Sequence, residues 1–148
     1  MYTRVKILFD TSILVAALIE DHARYLDSLP WLQRAIAEEI QGVVSTHTLA
    51  ELYAILTRLP RTPRISPTVA QRLINENLQR FEKVFLGAED YEATITRMVG
   101  LNLPGGGIYD ALIAQAALKG NVDRLLTLNP NDFVRLGEDI ASLVQTPT

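Results

Sequence analysis

The chain alternates between two patterns of apolar and polar positions. Short apolar runs rich in branched residues are typical of buried strands, whereas apolar residues three or four apart are typical of one helix face. Strands are predicted at residues 5–9, 42–45, 84–86, 124–127 and 140–144. Helices are predicted at residues 12–19, 22–37, 47–59, 67–81, 89–101 and 108–119, and the segment "NPNDF" predicts a turn or short helix. Pro30 could split the second helix, because proline removes a helical hydrogen bond.

Strands that alternate with helices predict an α/β sandwich built around a mainly parallel sheet of four or five strands. The 148 residues contain no repeat, low-complexity segment or internal boundary, so residues 1–148 are expected to form one domain. In parallel sheets, binding sites gather at the carboxyl ends of the strands. Polar residues that follow the predicted strands are therefore the first candidates for chemistry.

The composition excludes several kinds of site. Apolar residues make up 48% of the chain, which is enough for a buried core, and cysteine is absent. Disulfides, thiol nucleophiles and thiolate metal ligands are thereby excluded, and a reducing cytoplasm is the expected location. Only His22 and His47 are present, which argues against a histidine-rich zinc site. No apolar run approaches the ~20 residues of a membrane helix, so no membrane association is expected.

Charge is unevenly distributed along the chain, although the net charge is only −3. Residues 58–83 hold six cations against two acids, and the flanking segments are acidic. A solvated helix face is the simplest interpretation of this basic stretch. Contact with nucleic acid becomes an alternative if the acids form a site beside it.

Two of the candidate acids, Asp10 and Glu51, lie near the first two predicted strands. Asp10 directly follows a strand, where it could cap the next helix instead of serving a site. Glu51 has the spacing of a capping box with Thr48. If the helix starts earlier, at Thr46, Glu51 falls in its second turn and has no cation three or four residues away. Cap and site both remain open for these two acids.

The other two candidates, Asp110 and Asp132, flank the fourth predicted strand. Asp110 lies early on a helix that is apolar on nearly every face, which is typical of a buried helix. The helix dipole stabilises an acid there by only ~0.3–1 kcal/mol at a surface position, so a further partner is expected. Asp132 follows Asn129 and Pro130, which resemble a helix N-cap and first helical residue, so a structural role is also open.

The four acids are related by their positions in the predicted sheet. If the sheet is parallel, all four can reach the same edge of it. Two carboxylates ~4 Å apart at an effective dielectric of ~20 repel each other by roughly 4 kcal/mol. Such a cluster takes up protons or recruits a cation, and carboxylate oxygens favour a hard ion. Mg²⁺ or Mn²⁺ is therefore the expected cofactor.

Four segments carry a resemblance to a known family: "LFDTSILVAAL", "THTLAELYAIL", "YDALIAQAALKG" and "LLTLNPNDF". They stand in the order seen in PIN-domain proteins, and the chain resembles a VapC-type toxin of a type II toxin–antitoxin pair from about residue 5 to residue 144. The resemblance implies a small α/β/α nuclease that cuts single-stranded or structured RNA with Mg²⁺ or Mn²⁺. It also implies a cognate antitoxin, which inserts a peptide into the acidic pocket, and a homodimer.

The resemblance also assigns roles to residues of the first three segments. Asp10 and Asp110 match the main metal ligands of the family. Glu51 matches the acid of the second motif, which completes the pocket directly or through water. Thr11 or Ser12 matches the hydroxyl position beside the first acid.

The last segment departs from the family pattern. Thr127 matches the threonine that ends the fourth strand. Many relatives carry an acid two residues later, where this chain has Asn129, which could hold a metal-bound water instead. Asp132 matches the acid that often precedes the phenylalanine. The fourth carboxylate and a second metal ion are therefore the open points of the site.

The expected activity is metal-dependent hydrolysis of RNA phosphodiester bonds, catalysed by Asp10, Glu51, Asp110 and Asp132. A metal ion held by Asp10 and Asp110 would lower the pKa of a bound water, which Glu51 or Asp132 would orient or deprotonate. The resemblance implies 5′-phosphate and 3′-hydroxyl products. Three arginines that follow Glu51 are candidates for contact with the RNA backbone: Arg58, Arg61 and Arg64.

Two other functions are consistent with parts of the sequence. A catalytically inactive PIN-like binding module would keep the fold without the activity. A Mg²⁺-dependent phosphatase with an aspartyl nucleophile would use Asp10, but the second acid of such enzymes is replaced here by Ser12.

Overall fold

Five strands and eight helices occur in residues 3–148, the part of the chain that the computed structural model describes. The strands are β1 (Lys6–Phe9), β2 (Gln41–Ser45), β3 (Glu82–Val84), β4 (Arg124–Leu126) and β5 (Val144–Gln145). The helices are α1 (Thr11–Leu18), α2 (Tyr25–Ile36), α3 (Thr46–Arg58), α4 (Pro67–Asn77), α5 (Ala88–Gly100), α6 (Gly107–Lys119), α7 (Asn131–Val134) and α8 (Glu138–Ala141). None of the helices in residues 3–148 combines the length and the apolar character that spanning a bilayer requires.

The strands form one sheet in the order β3-β2-β1-β4-β5, and every neighbouring pair is parallel. The sequence prediction of a parallel sheet of four or five strands is therefore confirmed. β1 lies at the centre, between β2 and β4. Because all strands run the same way, the segments that follow β1, β2 and β4 meet at one edge of the sheet.

Successive residues of the central strands point to opposite faces of the sheet and bury two separate cores. Ile7 and Phe9 belong to the first core, to which helices α1 to α4 also contribute. Leu8 belongs to the second core, together with residues from helices α5 to α8. The neighbouring strand divides in the same way, with Val44 in the first core and Val43 in the second. Both faces of the sheet are thus covered by helices, which is the three-layer α/β/α arrangement that the resemblance implied.

Apart from the last strand, three predicted elements differ from the structure by two residues or more at a boundary. α2 begins at Tyr25, three residues later than predicted, and Pro30 lies inside it without splitting it. Pro30 is exposed, so the backbone carbonyl that loses its helical partner is at the outer side of the helix. α4 ends at Asn77 rather than at residue 81, and β3 begins two residues earlier than predicted.

The predicted strand at residues 140–144 is wrong. Residues 138–141 form the short helix α8, and only Val144 and Gln145 pair as a strand with β4. Gly137, with φ of 128°, turns the chain into this helix, and Asp139 in its first turn accepts two hydrogen bonds from Arg97. A short apolar run does not distinguish a strand from a turn of buried helix by periodicity alone.

Gly42 of β2 makes room for the ring of Phe81. A Cβ atom at Gly42 would lie 2.6 Å from Cε2 of that ring, which is buried and packs edge-on against Phe9 at a centroid distance of 5.1 Å. Gly42→Ala is therefore expected to lower the free energy of unfolding by about 1–3 kcal/mol, because the ring must move within a packed core. Urea unfolding measures the change.

Gly100→Ala is the matched control, because a Cβ atom there meets nothing within 4 Å. Since Gly100 ends α5, alanine should keep or slightly raise the stability. Equal unfolding midpoints for the two variants would contradict the role assigned to Gly42.

Candidate active site

Asp10 follows β1 and is buried, with 5% of its surface exposed. Its carboxylate caps α1 by accepting a hydrogen bond from the backbone N–H of Ser12 at 2.5 Å, and the Thr127 hydroxyl donates to its other oxygen. Burial raises the pKa of Asp10 above the usual 3.8, although the hydrogen bonds from Thr127 and Ser12 favour the ionised form. Asp10 is thus the helix cap that the sequence allowed and is also held at the sheet edge by a second strand.

The segment after β4 is fastened to Asp10 and to the start of α1. Thr127 is fully buried, and its hydroxyl oxygen accepts from the backbone N–H of Asn129 at 2.9 Å while it donates to Asp10. The Ser12 hydroxyl oxygen accepts from the backbone N–H of Leu128 at 3.1 Å. These contacts hold the Asp10 carboxylate from two sides and place Thr127 and Ser12 beside it.

Glu51 lies in the second turn of α3, which is capped by Ser45 rather than by Thr48. The capping-box interpretation of Thr48 and Glu51 is therefore wrong, because the helix begins at Thr46. The Thr11 hydroxyl donates to Oε1 of Glu51, and the hydroxyl oxygens of Thr11 and Thr48 are 3.2 Å apart. Thr11 and Thr48 are buried, so Glu51 is held by the Thr11 hydroxyl of α1, which in turn contacts the Thr48 hydroxyl of α3.

Asp110 lies in the first turn of α6 and is partly buried. The pKa of Asp110 is raised to about 6. Burial is the largest cause, the charges of Asp10, Asp132 and Glu51 add to it in that order, and Arg135 lowers it. The negative charges that act on Asp110 therefore come from all three of the other candidate acids. The structure brings the four acids into one electrostatic neighbourhood at the carboxyl edge of the sheet.

The segment with Asn129 and Asp132 is the most exposed part of this neighbourhood. α7 begins at Asn131 and no side chain caps it, so the N-cap interpretation of Asn129 is wrong. The Asn129 carbonyl accepts from the backbone N–H of Asp132 at 3.1 Å in the turn that precedes α7. Both side chains are accessible to a ligand.

The donor set fits a hard cation that keeps part of its water shell. All candidate donors are carboxylate or hydroxyl oxygens, and repulsion among the acids is visible in the raised pKa of Asp110. In residues 3–148, no group of three or more His, Cys, Asp or Glu side chains is arranged to enclose an ion. Mg²⁺ commonly binds through one or two carboxylates and retains several waters, so two acids suffice for such a site.

Two features of the site involve residues that were not predicted from the sequence to be functional. The rings of His47 and Tyr109 stack with a centroid distance of 5.7 Å and an interplanar angle of 8°, which ties the start of α3 to the start of α6. Arg135, just after α7, is the cation that lowers the pKa of Asp110. Neither pairing has a local sequence signal, because each joins residues that are far apart in the chain.

The three arginines proposed to contact RNA are exposed and lie at the end of α3 or in the segment that follows it. Arg58 is exposed at the end of α3, about 10 Å further along the helix axis than Glu51, and its Nε donates to the Ala54 carbonyl at 3.2 Å. Arg61 and Arg64 are exposed in the segment before α4. Their contact with RNA stays a prediction.

A sequence profile described as PIN domain matches residues 7–139 of the chain. The chain belongs to the PIN-domain family. Two relatives from Mycobacterium tuberculosis support this membership. Ribonuclease VapC27 is 33% identical over 73% of this PIN-domain chain and 74% of its own length. Ribonuclease VapC40 is 30% identical over 80% of this chain and 82% of its own length.

A solved PIN-domain structure has the same fold. The VapBC-1 structure from nontypeable Haemophilus influenzae has a TM-score of 0.67 to this PIN domain, covers 97% of this chain and 98% of that one, and is 19% identical in sequence. At that level of identity, the likeness extends to the fold alone. The five-stranded parallel sheet and its helical layers are therefore those of a PIN domain.

Proposed function

We propose that this PIN-domain chain is a metal-dependent ribonuclease that hydrolyses RNA phosphodiester bonds, with residues 1–148 acting as one nuclease domain. The observation that carries the proposal is the meeting of the segments after β1, β2 and β4 at one edge of the sheet, where Thr127 holds Asp10 and Thr11 holds Glu51. The two relatives named as ribonucleases support it. An uncompensated cluster of acids is unfavourable for folding, so it is retained for a cation or for chemistry.

Asp10 and Asp110 are the proposed ligands of Mg²⁺ or Mn²⁺. When bound, such an ion supplies a more acidic water and offsets negative charge on the scissile phosphate. Thr127 and Ser12 hold the Asp10 carboxylate so that it needs no reorientation to bind. This prearrangement lowers the free-energy cost of binding the ion.

Glu51 and Asp132 are the candidates for orienting the attacking water and accepting its proton. Thr11 fixes Glu51 by donating to Oε1, which leaves the other carboxylate oxygen available. Asn129 is exposed beside Thr127 and offers an amide to a water or to the substrate. The proposed products are a 5′-phosphate and a 3′-hydroxyl, and Arg58, Arg61 and Arg64 are proposed to contact the RNA backbone.

The resemblance to VapC-type proteins also supports a biological setting. We propose that the chain is the toxin of a type II toxin–antitoxin pair, restrained by a cognate antitoxin in the cytoplasm and active as a homodimer. The absence of cysteine fits a reducing compartment. An acidic pocket is also the surface that a basic antitoxin peptide would cover.

Incubation of purified protein with total cellular RNA tests the proposed activity. Cleavage is expected with Mg²⁺ or Mn²⁺ and not with chelator, and Asp10→Asn serves as the inactive reference. Sequencing of the fragment ends checks for 5′-phosphates. RNA binding without cleavage under every condition would favour an inactive binding module. Hydrolysis of a small phosphate ester without RNA cleavage would favour a phosphatase.

A further inference from the structure

Arg135 is a cation placed beside the acids but not neutralised by them. It is exposed and directly follows α7. None of the salt bridges within residues 3–148 involves it. Arg97 behaves differently, because it forms a two-pronged pair with Asp139 at 2.9 and 2.7 Å. Among the described side chains, Arg135 therefore has no ion-pair partner.

The guanidinium of Arg135 rests against Gly107, the first residue of α6. A Cβ atom at Gly107 would lie 2.7 Å from Nη2 and 3.6 Å from Cζ of Arg135. Asp110 lies one helical turn further along the same helix. Because Gly107 has no side chain, the guanidinium can approach the start of α6, one helical turn before Asp110.

We propose that Arg135 binds a phosphate of the RNA substrate next to the acids, with Gly107 providing the space for its guanidinium. This assignment rests on the proposed ribonuclease function. RNA carries a negative charge at every nucleotide, and it must approach a cluster of four carboxylates. A planar guanidinium offers two parallel donors that match two phosphate oxygens.

A purely neutralising role for Arg135 would have a different geometry. An arginine that serves to offset acids pairs with a carboxylate, as Arg97 does with Asp139. Arg135 instead forms no salt bridge within residues 3–148, while its guanidinium lies at Gly107, one helical turn before Asp110. Phosphate binding uses both properties, since a phosphate bound by Arg135 is held near the site at which the acids act.

RNA affinity in the presence of chelator tests this assignment without relying on catalysis. The probe is a fluorescein-labelled single-stranded RNA of mixed sequence, and its anisotropy is measured at several salt concentrations. Arg135→Ala is expected to weaken binding about tenfold, because a charge-assisted hydrogen bond is lost. The slope of log affinity against log salt should fall by about 0.7 for one lost phosphate contact.

Three further variants make the test specific. Arg135→Lys keeps the charge and should keep the salt slope while cleaving RNA more slowly, because the two-pronged contact is lost. Gly107→Ala keeps the charge but displaces the guanidinium, so it should weaken binding in the same direction as Arg135→Ala. Arg124→Ala is the control, because Arg124 is exposed at the start of β4, away from the carboxyl edge.

The outcomes separate this assignment from the proposed function. Absence of RNA binding and cleavage by the wild type would overturn both. Cleavage by the wild type, together with equal affinity and salt slope for Arg135→Ala and Arg124→Ala, would overturn the role of Arg135 alone. If Arg135→Ala does not fold, Arg135→Gln decides the question, and wild-type affinity and salt slope in that variant would overturn the assignment.

Discussion

Replacing Asp110 with asparagine is expected to reduce RNA cleavage on the order of 100-fold or more and, in the absence of metal, to stabilise the fold. The loss of activity follows from the loss of one of two proposed carboxylate ligands, since even supporting residues of metal sites contribute about 10–100-fold. The gain in stability follows from the raised pKa of Asp110, which reflects burial and the charges of Asp10, Asp132 and Glu51. Asp110 would thus lower the free energy of unfolding while it serves the proposed activity.

The stabilising effect of Asp110→Asn should depend on pH in one direction. In the folded state the pKa of Asp110 is raised to about 6 from the usual 3.8, so the folded protein binds this proton more tightly than the unfolded chain does. Ionisation therefore reduces the stability of the wild type as the pH rises from about 4 to about 6. Asparagine does not titrate, so the variant should gain little near pH 4 and about 1–2 kcal/mol at pH 7.

Urea unfolding with chelator at acidic and neutral pH measures this difference, and single-turnover cleavage measures the activity. Glu92→Gln is the control, because Glu92 is an exposed acid on α5, outside the site. Added Mg²⁺ should narrow the stability difference, since the ion stabilises the wild type preferentially. A variant that unfolds more easily than the wild type at neutral pH without metal would contradict the picture of repelling acids.

The sequence alone was sufficient to name the candidate acids, because the signals that mark them are local. Asp10 stands where a buried strand ends, and the parallel sheet then places that end beside the segments after β2 and β4. Asp110 was recognised as an acid on a helix that is apolar all round, and in the structure that helix lies in the second core. Both inferences required only the end of a strand and the periodicity of a helix, which short windows of sequence report well.

The remaining parts of the site depend on contacts that no short window contains. The role of Glu51 depended on whether α3 starts at Thr46, which is decided by capping from Ser45. The contact of Arg135 with Gly107 joins α6 to the residue after α7, across the β4 segment. The turn at Gly137 that begins α8 is likewise supported by Arg97 from a different helix. Tertiary partners, rather than local propensity, decided each of these cases.

Removing the Thr127 hydroxyl is expected to have the second-largest effect on activity. Thr127→Val keeps the shape of a fully buried side chain but removes the donor to Asp10 and the acceptor for the Asn129 N–H. The pKa of Asp10 is already raised by burial, and loss of a hydrogen bond that favours the ionised form should raise it further. Cleavage should fall about 10–100-fold, and Mg²⁺ binding should weaken, because a proton competes better for Asp10.

The pH dependence of cleavage separates this effect from a general loss of packing. Because Asp10, as a proposed metal ligand, must be ionised to bind a cation, a higher pKa is expected to shift the acidic limb of the pH–rate profile of Thr127→Val towards higher pH. Thr127→Ser retains the hydroxyl and should keep the wild-type profile even if the missing methyl group lowers stability. The same lowered rate for valine and serine, with the acidic limb unmoved in both, would mean that Thr127 supports the site through packing rather than through its hydrogen bond to Asp10.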